Sequence, residues 1–186
     1  MRALERKRDK NSMSVNSIRP TGTERTFGED EIIVSKTDLK GHITYANEVF
    51  LRISGYTEEE ILGKPHNVIR HPDMPRSVFK LLWGTLKQKR EIFAYVLNLA
   101  KNGDHYWVFA HVTPTFDESN NVIGYHSNRR LPEASSVARV LPIYRRLLEE
   151  EKKFANKEEG MAASGSLLMK VIQEKASDYD EFALAI

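Results

Sequence analysis

The chain has 186 residues, 28 Lys and Arg against 26 Asp and Glu, a formal net charge of +2 and no cysteine. That length accommodates one well-cored domain with flanking segments, and a charge so near zero gives no reason to expect a nucleic-acid partner. Without cysteine, disulfides, thiolate metal sites, cysteine nucleophiles and cysteinyl–flavin adducts are excluded.

Residues 1–30 are polar, basic at Arg2, Arg6, Lys7, Arg8 and Lys10, and without periodicity, so they predict a disordered arm in which Met13 is an alternative start. No apolar run is long enough to span a membrane and no h-region follows the basic start, which predicts a cytoplasmic protein with no direct membrane insertion. From Glu31 the texture changes. Ile32–Val34 and His42–Tyr45 read as two strands of a hairpin around Thr37–Gly41. Asn47 caps a helix bearing Val49, Phe50 and Ile53 that stops at Gly55. Thr57 and Glu60 form a capping box for a one-turn helix ending at Gly63.

The segment His66-Asn67-Val68-Ile69-Arg70-His71-Pro72-Asp73-Met74-Pro75 is dense in ionisable groups held by two prolines. Pro75 suits the first position of a helix, on which Phe79, Leu82, Trp83 and Leu86 share a face. Three strands follow. Ile92–Ala100 and His105–Phe116 are joined by an Asn102-Gly103 turn, and Val122–Arg130 comes after a second turn at 117–121. On the first of these, Ile92, Ala94, Val96 and Asn98 point one way and Phe93, Tyr95, Leu97 and Leu99 the other. Asn98 is therefore a polar exception on an apolar face.

From Glu133 the pattern is helical, with Val137, Leu141, Tyr144 and Leu148 in one stripe; Gly160–Gly165 is expected to break it, and Leu167–Ile172 to begin a last short helix ending near Ser177. Strands around a helical block imply an α+β fold, an antiparallel sheet with helices on one face. The outward alternation of Tyr95, Leu97, Trp107 and Phe109 then predicts an interface, unless the helix after Glu133 or the N-terminal arm folds back over it.

Tyr45-Ala46-Asn47, Ser54-Gly55-Tyr56-Thr57, Gly63-Lys64-Pro65-His66-Asn67, Arg70-His71-Pro72-Asp73-Met74-Pro75, Trp83 and Lys101-Asn102-Gly103-Asp104-His105-Tyr106-Trp107-Val108 closely resemble the PAS domain of aerotaxis receptors and of bipartite energy-taxis proteins. The resemblance spans residues 31–131 and implies a PAS fold, a five-stranded antiparallel sheet with short helices on one face, followed here by a helical extension over 132–186. It further implies non-covalent FAD, redox sensing, and signalling to a separate methyl-accepting chemotaxis-type transducer, with a homodimer as a possible assembly. On family positions associated with the cofactor stand Asn47, Arg70, His71, Asp73, Trp83 and Asn98.

Flavin chemistry suits such a set. Trp83 and the strand faces supply walls for the ring, Asn98 or Asn47 an amide for its pyrimidine edge, and Arg70 or His71 a cation for its phosphates. Each has a plainer role open to it: Asn47 as a helix cap, Asp73 as the partner of Arg70, Trp83 as core, Asn98 bonded to a neighbouring strand. The sequence departs from the family at Ile92 and Ala94, where tryptophan and glycine are usual.

Two other readings keep the fold. One is a haem b gas sensor, with His71, His105 and His111 as candidate axial ligands, and the other is an interaction module with an empty pocket. An enzyme is not expected: there is no Gly-rich phosphate loop, and His66 and His71 are too far out of phase to share a helix face.

Overall fold

The computed structural model describes residues 18–186; residues 1–17, with most of the expected arm and the alternative start at Met13, lie outside the described residues. Strands β1 (Ile33–Thr37) and β2 (Ile43–Ala46) form the first hairpin. Gly41 in its turn has φ +80°, a conformation that a side chain would strain. Helix α1 (Glu48–Ser54) is capped by Asn47 and closed by Gly55 in the left-handed region, and α2 (Glu58–Ile61) carries the Thr57–Glu60 capping box. A single 3-10 turn, His66–Ile69, leads into α3 (Arg76–Lys87). Strands β3 (Ile92–Leu99), β4 (His105–Phe116) and β5 (Val122–Arg130) complete the sheet in the order β2-β1-β5-β4-β3, every pairing antiparallel. This is the expected α+β architecture.

The expected arm does not extend to residue 30. Residues 21–25 run alongside the start of β4, with Thr21 N–H donating to Gly103 O (2.8 Å), His105 N–H to Thr23 O (2.9 Å) and Arg25 N–H to His105 O (2.8 Å). Arg25 Nη1 also donates to Ile53 O at 2.6 Å, and Phe27 is buried in the core. Backbone pairing holds this stretch even though its composition is polar.

The extension also differs from expectation. Helix α4 (Ala134–Lys152) ends at 153, and α5 (Lys157–Gln173) runs straight through both glycines before α6 (Tyr179–Ala185), a helix the periodicity did not predict. The break falls at Asn156, whose side chain caps α5. Gly160 serves close packing: a Cβ there would lie 2.5 Å from the Glu151 carbonyl oxygen of α4.

The outward face of β3 and β4 is not a free interface, because α4 and α6 cover it. Tyr144 donates its hydroxyl to Tyr95 O at 2.6 Å and lays its ring on Trp107 with centroids 6.1 Å apart. Asp180 accepts the N–H of Phe93 at 3.1 Å. Tyr95, Leu97 and Trp107 are buried in consequence. The apolar stripe of α4 finds its complement within the chain, which settles the choice in favour of fold-back.

Gly160 and Gly165 set helix propensity against packing. Replacing either by alanine gains up to about 1 kcal/mol of propensity, but overpacking against an immovable backbone atom costs about 1–3 kcal/mol. Gly160→Ala should therefore destabilise the protein and Gly165→Ala, whose Cβ would meet nothing within 4 Å, should stabilise it. Urea denaturation of the two variants distinguishes these signs; equal shifts would show that α5 does not pack against α4 at Gly160.

Candidate functional site

Between the inner face of the sheet and α3 lies a cavity of about 470 Å³. Its apolar walls follow from two periodicities. The three- and four-residue spacing of α3 turns Phe79, Leu82, Trp83 and Leu86 inward, and the two-residue alternation of the strands contributes Val96, Ala110 and Val112. Trp83 sets its ring edge-on to Tyr125, with centroids 5.3 Å apart, and reaches over the bare Cα of Gly41.

The polar groups come from a second stripe. Tyr125, Ser127 and Arg129 alternate along β5, and the register places Ser35 opposite Ser127 and Thr37 opposite Tyr125 on β1. Arg129 is 2% exposed. Its guanidinium lies 5.0 Å above the Phe50 ring and Nη2 donates to Ser35 Oγ, while Nε and Nη1 have no partner among the described residues. Burial draws its pKa down to about 10, so it stays cationic at neutral pH.

Ser35 Oγ in turn lies 3.2 Å from His66 Nε2. Burial first, and the Arg129 charge second, depress the His66 pKa to about 3, so the imidazole is neutral. A hydrogen bond joins Ser35 Oγ to the neutral ring, and the serine oxygen also accepts from Arg129. Two more buried donors in the wall are unsatisfied, Asn98 Nδ2 and Thr37 Oγ1. Lys40, Arg70, Arg76 and Lys80 join Arg129 in the lining, which contains no carboxylate among the described residues.

The expected site residues divide evenly. Arg70, Trp83 and Asn98 line the cavity; Asn47, His71 and Asp73 do not. Asn47 is spent as a scaffold: Oδ1 accepts from Phe50 N–H and Val34 N–H, both at 3.0 Å, and Nδ2 donates to Ile32 O at 2.8 Å. His71 is buried with Nδ1 accepting from Asp73 N–H at 3.0 Å, and burial lowers its pKa.

Asp73 does not pair with Arg70. Its carboxylate is solvent-exposed and 3.9 Å from His71 Nδ1, whereas Arg70 Nη2 donates to Met74 O at 2.9 Å and the guanidinium stacks on Phe79. Burial and the neighbouring Arg76 lower the Arg70 pKa, and Glu151 opposes them. Of the candidate haem ligands, His71, His105 and His111 all lie outside the cavity wall. Ile92 and Ala94 are buried on the inward side of β3 but are not among the lining residues.

Arg129 is the buried charge of the site and Ser35 its hydrogen-bond partner, and neither was predicted. The alternation Tyr125-Ser127-Arg129 was the available signal, but reading it requires the β1–β5 register.

The family described as PAS fold matches residues 43–129. Over 121 residues, 65% of this chain, the sequence is 44% identical to the aerotaxis receptor of Escherichia coli (strain K12), of which it covers 24%. It is 28% identical over 99 residues to the nitrogen fixation regulatory protein of Klebsiella pneumoniae, covering 53% of this chain and 20% of that one. The chain thus spans a quarter or less of the length of these curated relatives. Among solved structures, a light-oxygen-voltage domain studied with a flavin analogue superposes with a TM-score of 0.56 at 19% identity, covering 62% of this chain and 88% of that one. The light state of the blue-light photoreceptor Aureochrome1 LOV gives a TM-score of 0.54 at 22% identity, covering 59% and 88%. These likenesses establish the fold.

The buried neutral His66 has a consequence for stability. Between its folded pKa of about 3 and its unfolded value near 6.5, the unfolded chain binds the proton that the folded one refuses. Stability should therefore fall as pH drops below about 6.5, by as much as ~1.4 kcal/mol per pH unit from this residue. His71 contributes in the same direction. His66→Gln should flatten the dependence in urea melts between pH 7.5 and 4.5; the same slope as the parent would show that His66 is not buried neutral.

Proposed function

We propose, from the match of residues 43–129 to the PAS fold family and the 44% identity to an aerotaxis receptor, that this chain is a non-enzymatic redox sensor built on a PAS domain. It holds FAD non-covalently in the cavity and signals to a separate chemoreceptor-type transducer. The observation that carries the reading is the composition of the lining among the described residues: five cations, buried donors lacking acceptors, apolar walls and no carboxylate. Such a site is short of hydrogen-bond acceptors and negative charge. A flavin dinucleotide supplies both, through its ring carbonyls and its diphosphate, together with a flat aromatic body for Trp83 and Leu82 to cover.

Bound flavin contributes reversible uptake of electrons. The protein holds it in place and sets the electrostatics around it. Asn98 Nδ2 and Thr37 Oγ1 are donors with no competing partner, and Arg129 is a fixed positive charge that favours any added negative charge nearby. Arg70, Arg76 and Lys80 offer charge-assisted contacts to phosphates. No cysteine is present to form a covalent adduct.

Two similarities support sensing rather than catalysis: the aerotaxis receptor and the nitrogen fixation regulatory protein are both named for response or regulation. No helix among the described residues is long and apolar enough to cross a membrane. In the proposed reading the output passes to a partner in the cytoplasm.

Heating the purified protein should release FAD, identified by chromatography. Asn98→Ala should weaken its binding by roughly 5–150-fold, the equivalent of about 1–3 kcal/mol for a buried hydrogen bond. A folded protein that neither carries nor takes up flavin overturns the proposal, and a haem Soret band in place of flavin absorbance would reassign the pocket.

Coupling to the transducer has its own signature. By reciprocity, a partner that prefers one flavin state tenfold shifts a one-electron potential by about 59 mV. The potential should therefore move when the transducer is added; an unchanged value with binding confirmed means that the pocket does not control partner affinity.

A further inference from the structure

The PAS match ends at residue 129, yet the cavity wall does not. Met161, on α5, lines it together with residues of the sheet and α3. Helix α5 lies across α3 and is fixed there by polar contacts. Ser77 Oγ and Ser164 Oγ are 2.7 Å apart, and both residues are buried. Ser77 N–H also donates to Glu151 Oε1 at 3.1 Å, from the end of α4. The charge of Glu151 is felt by Arg70, which places the α4–α5 corner beside the basic part of the lining. Ser77 stands in the first turn of α3, the helix that brings Leu82 and Trp83 to the cavity.

We propose that α5 is a wall of the ligand site, closing the cavity with Met161, so that ligand occupancy and the docking of α5 against α3 are thermodynamically linked. The inference rests on reading the cavity as a flavin site. Helix α4 has its own anchor to the sheet through Tyr144, whereas α5 is held by packing on α4 at Gly160 and on α3 through Ser164. The two helices are joined only by residues 153–156. Helix α5 can therefore shift on α3 within the reach of that connection while Tyr144 keeps α4 on the sheet. A ligand that fills the space beside Met161 adds contacts to α5 only when it is docked. By linkage, docking then tightens the ligand by the same factor.

The chain has no cysteine, so Met161→Cys introduces a single thiol in this chain. Its reaction with a maleimide should be slowed at least tenfold by saturating FAD; an equal rate with and without bound FAD overturns the proposal. Ser164→Arg, at the α3–α5 contact and outside the cavity, should undock α5 and weaken FAD binding about tenfold or more. Unchanged affinity would overturn the proposal as well. Failure of the parent protein to bind FAD would defeat the flavin reading, yet closure remains readable without ligand. In a Trp107→Phe background Trp83 is the sole indole among the described residues, and Ser164→Arg should raise its quenching by acrylamide. No change in quenching would mean that α5 does not close the cavity.

Discussion

A guanidinium buried at the back of the cavity, with no carboxylate beside it, constrains everything around it. Taking a charge out of water costs several kcal/mol unless other groups compensate. Arg129 has only a serine oxygen and the face of Phe50. Its pKa falls but remains far above neutrality, so the charge persists. That charge holds the Ser35 hydroxyl, adds to the burial that keeps His66 unprotonated, and leaves two guanidinium nitrogens without a partner among the described residues. A second buried cation nearby would be costly, which is consistent with a neutral imidazole and with four other basic side chains placed elsewhere around the lining.

Much of the fold was legible because its signals are local. The Thr57–Glu60 capping box, the glycine at 55, the Asn-Gly turn and the inward stripe of α3 each depend on a few neighbouring residues, and each appears where expected. The parity of β3 was also correct: Val96 and Asn98 face the cavity while Tyr95 and Leu97 face away. Features that depend on distant partners were not legible. Composition could not reveal that residues 21–25 would pair with β4. Gly160 reads as a helix breaker until Glu151 is seen against it.

The candidate site shows the same division. Trp83 and Asn98 were identified by periodicity as well as by family resemblance, and both line the cavity. Asn47, His71 and Asp73 stand in the most distinctive motifs and lie outside it. Their part is to build the loop and the strand pair that carry Arg70 and Ser35: Asn47 joins α1 to β1, and His71 accepts the backbone N–H of Asp73. Motif density marked the neighbourhood, while strand register decided which side chains enter the cavity.

The edges of the sheet are occupied as firmly as its faces. On β3 the Phe93 N–H goes to Asp180, the Leu97 N–H to the Met74 sulfur, and the Tyr95 carbonyl to the Tyr144 hydroxyl. At the opposite edge β2 has four residues, and Ile43 exchanges its backbone bonds with Lys64 O and Gly63 N. A binding partner consequently has little main chain on which to add a strand of its own. Recognition of this protein must run through side chains and helix surfaces, and two copies gain little from stacking edge to edge into a continuous sheet.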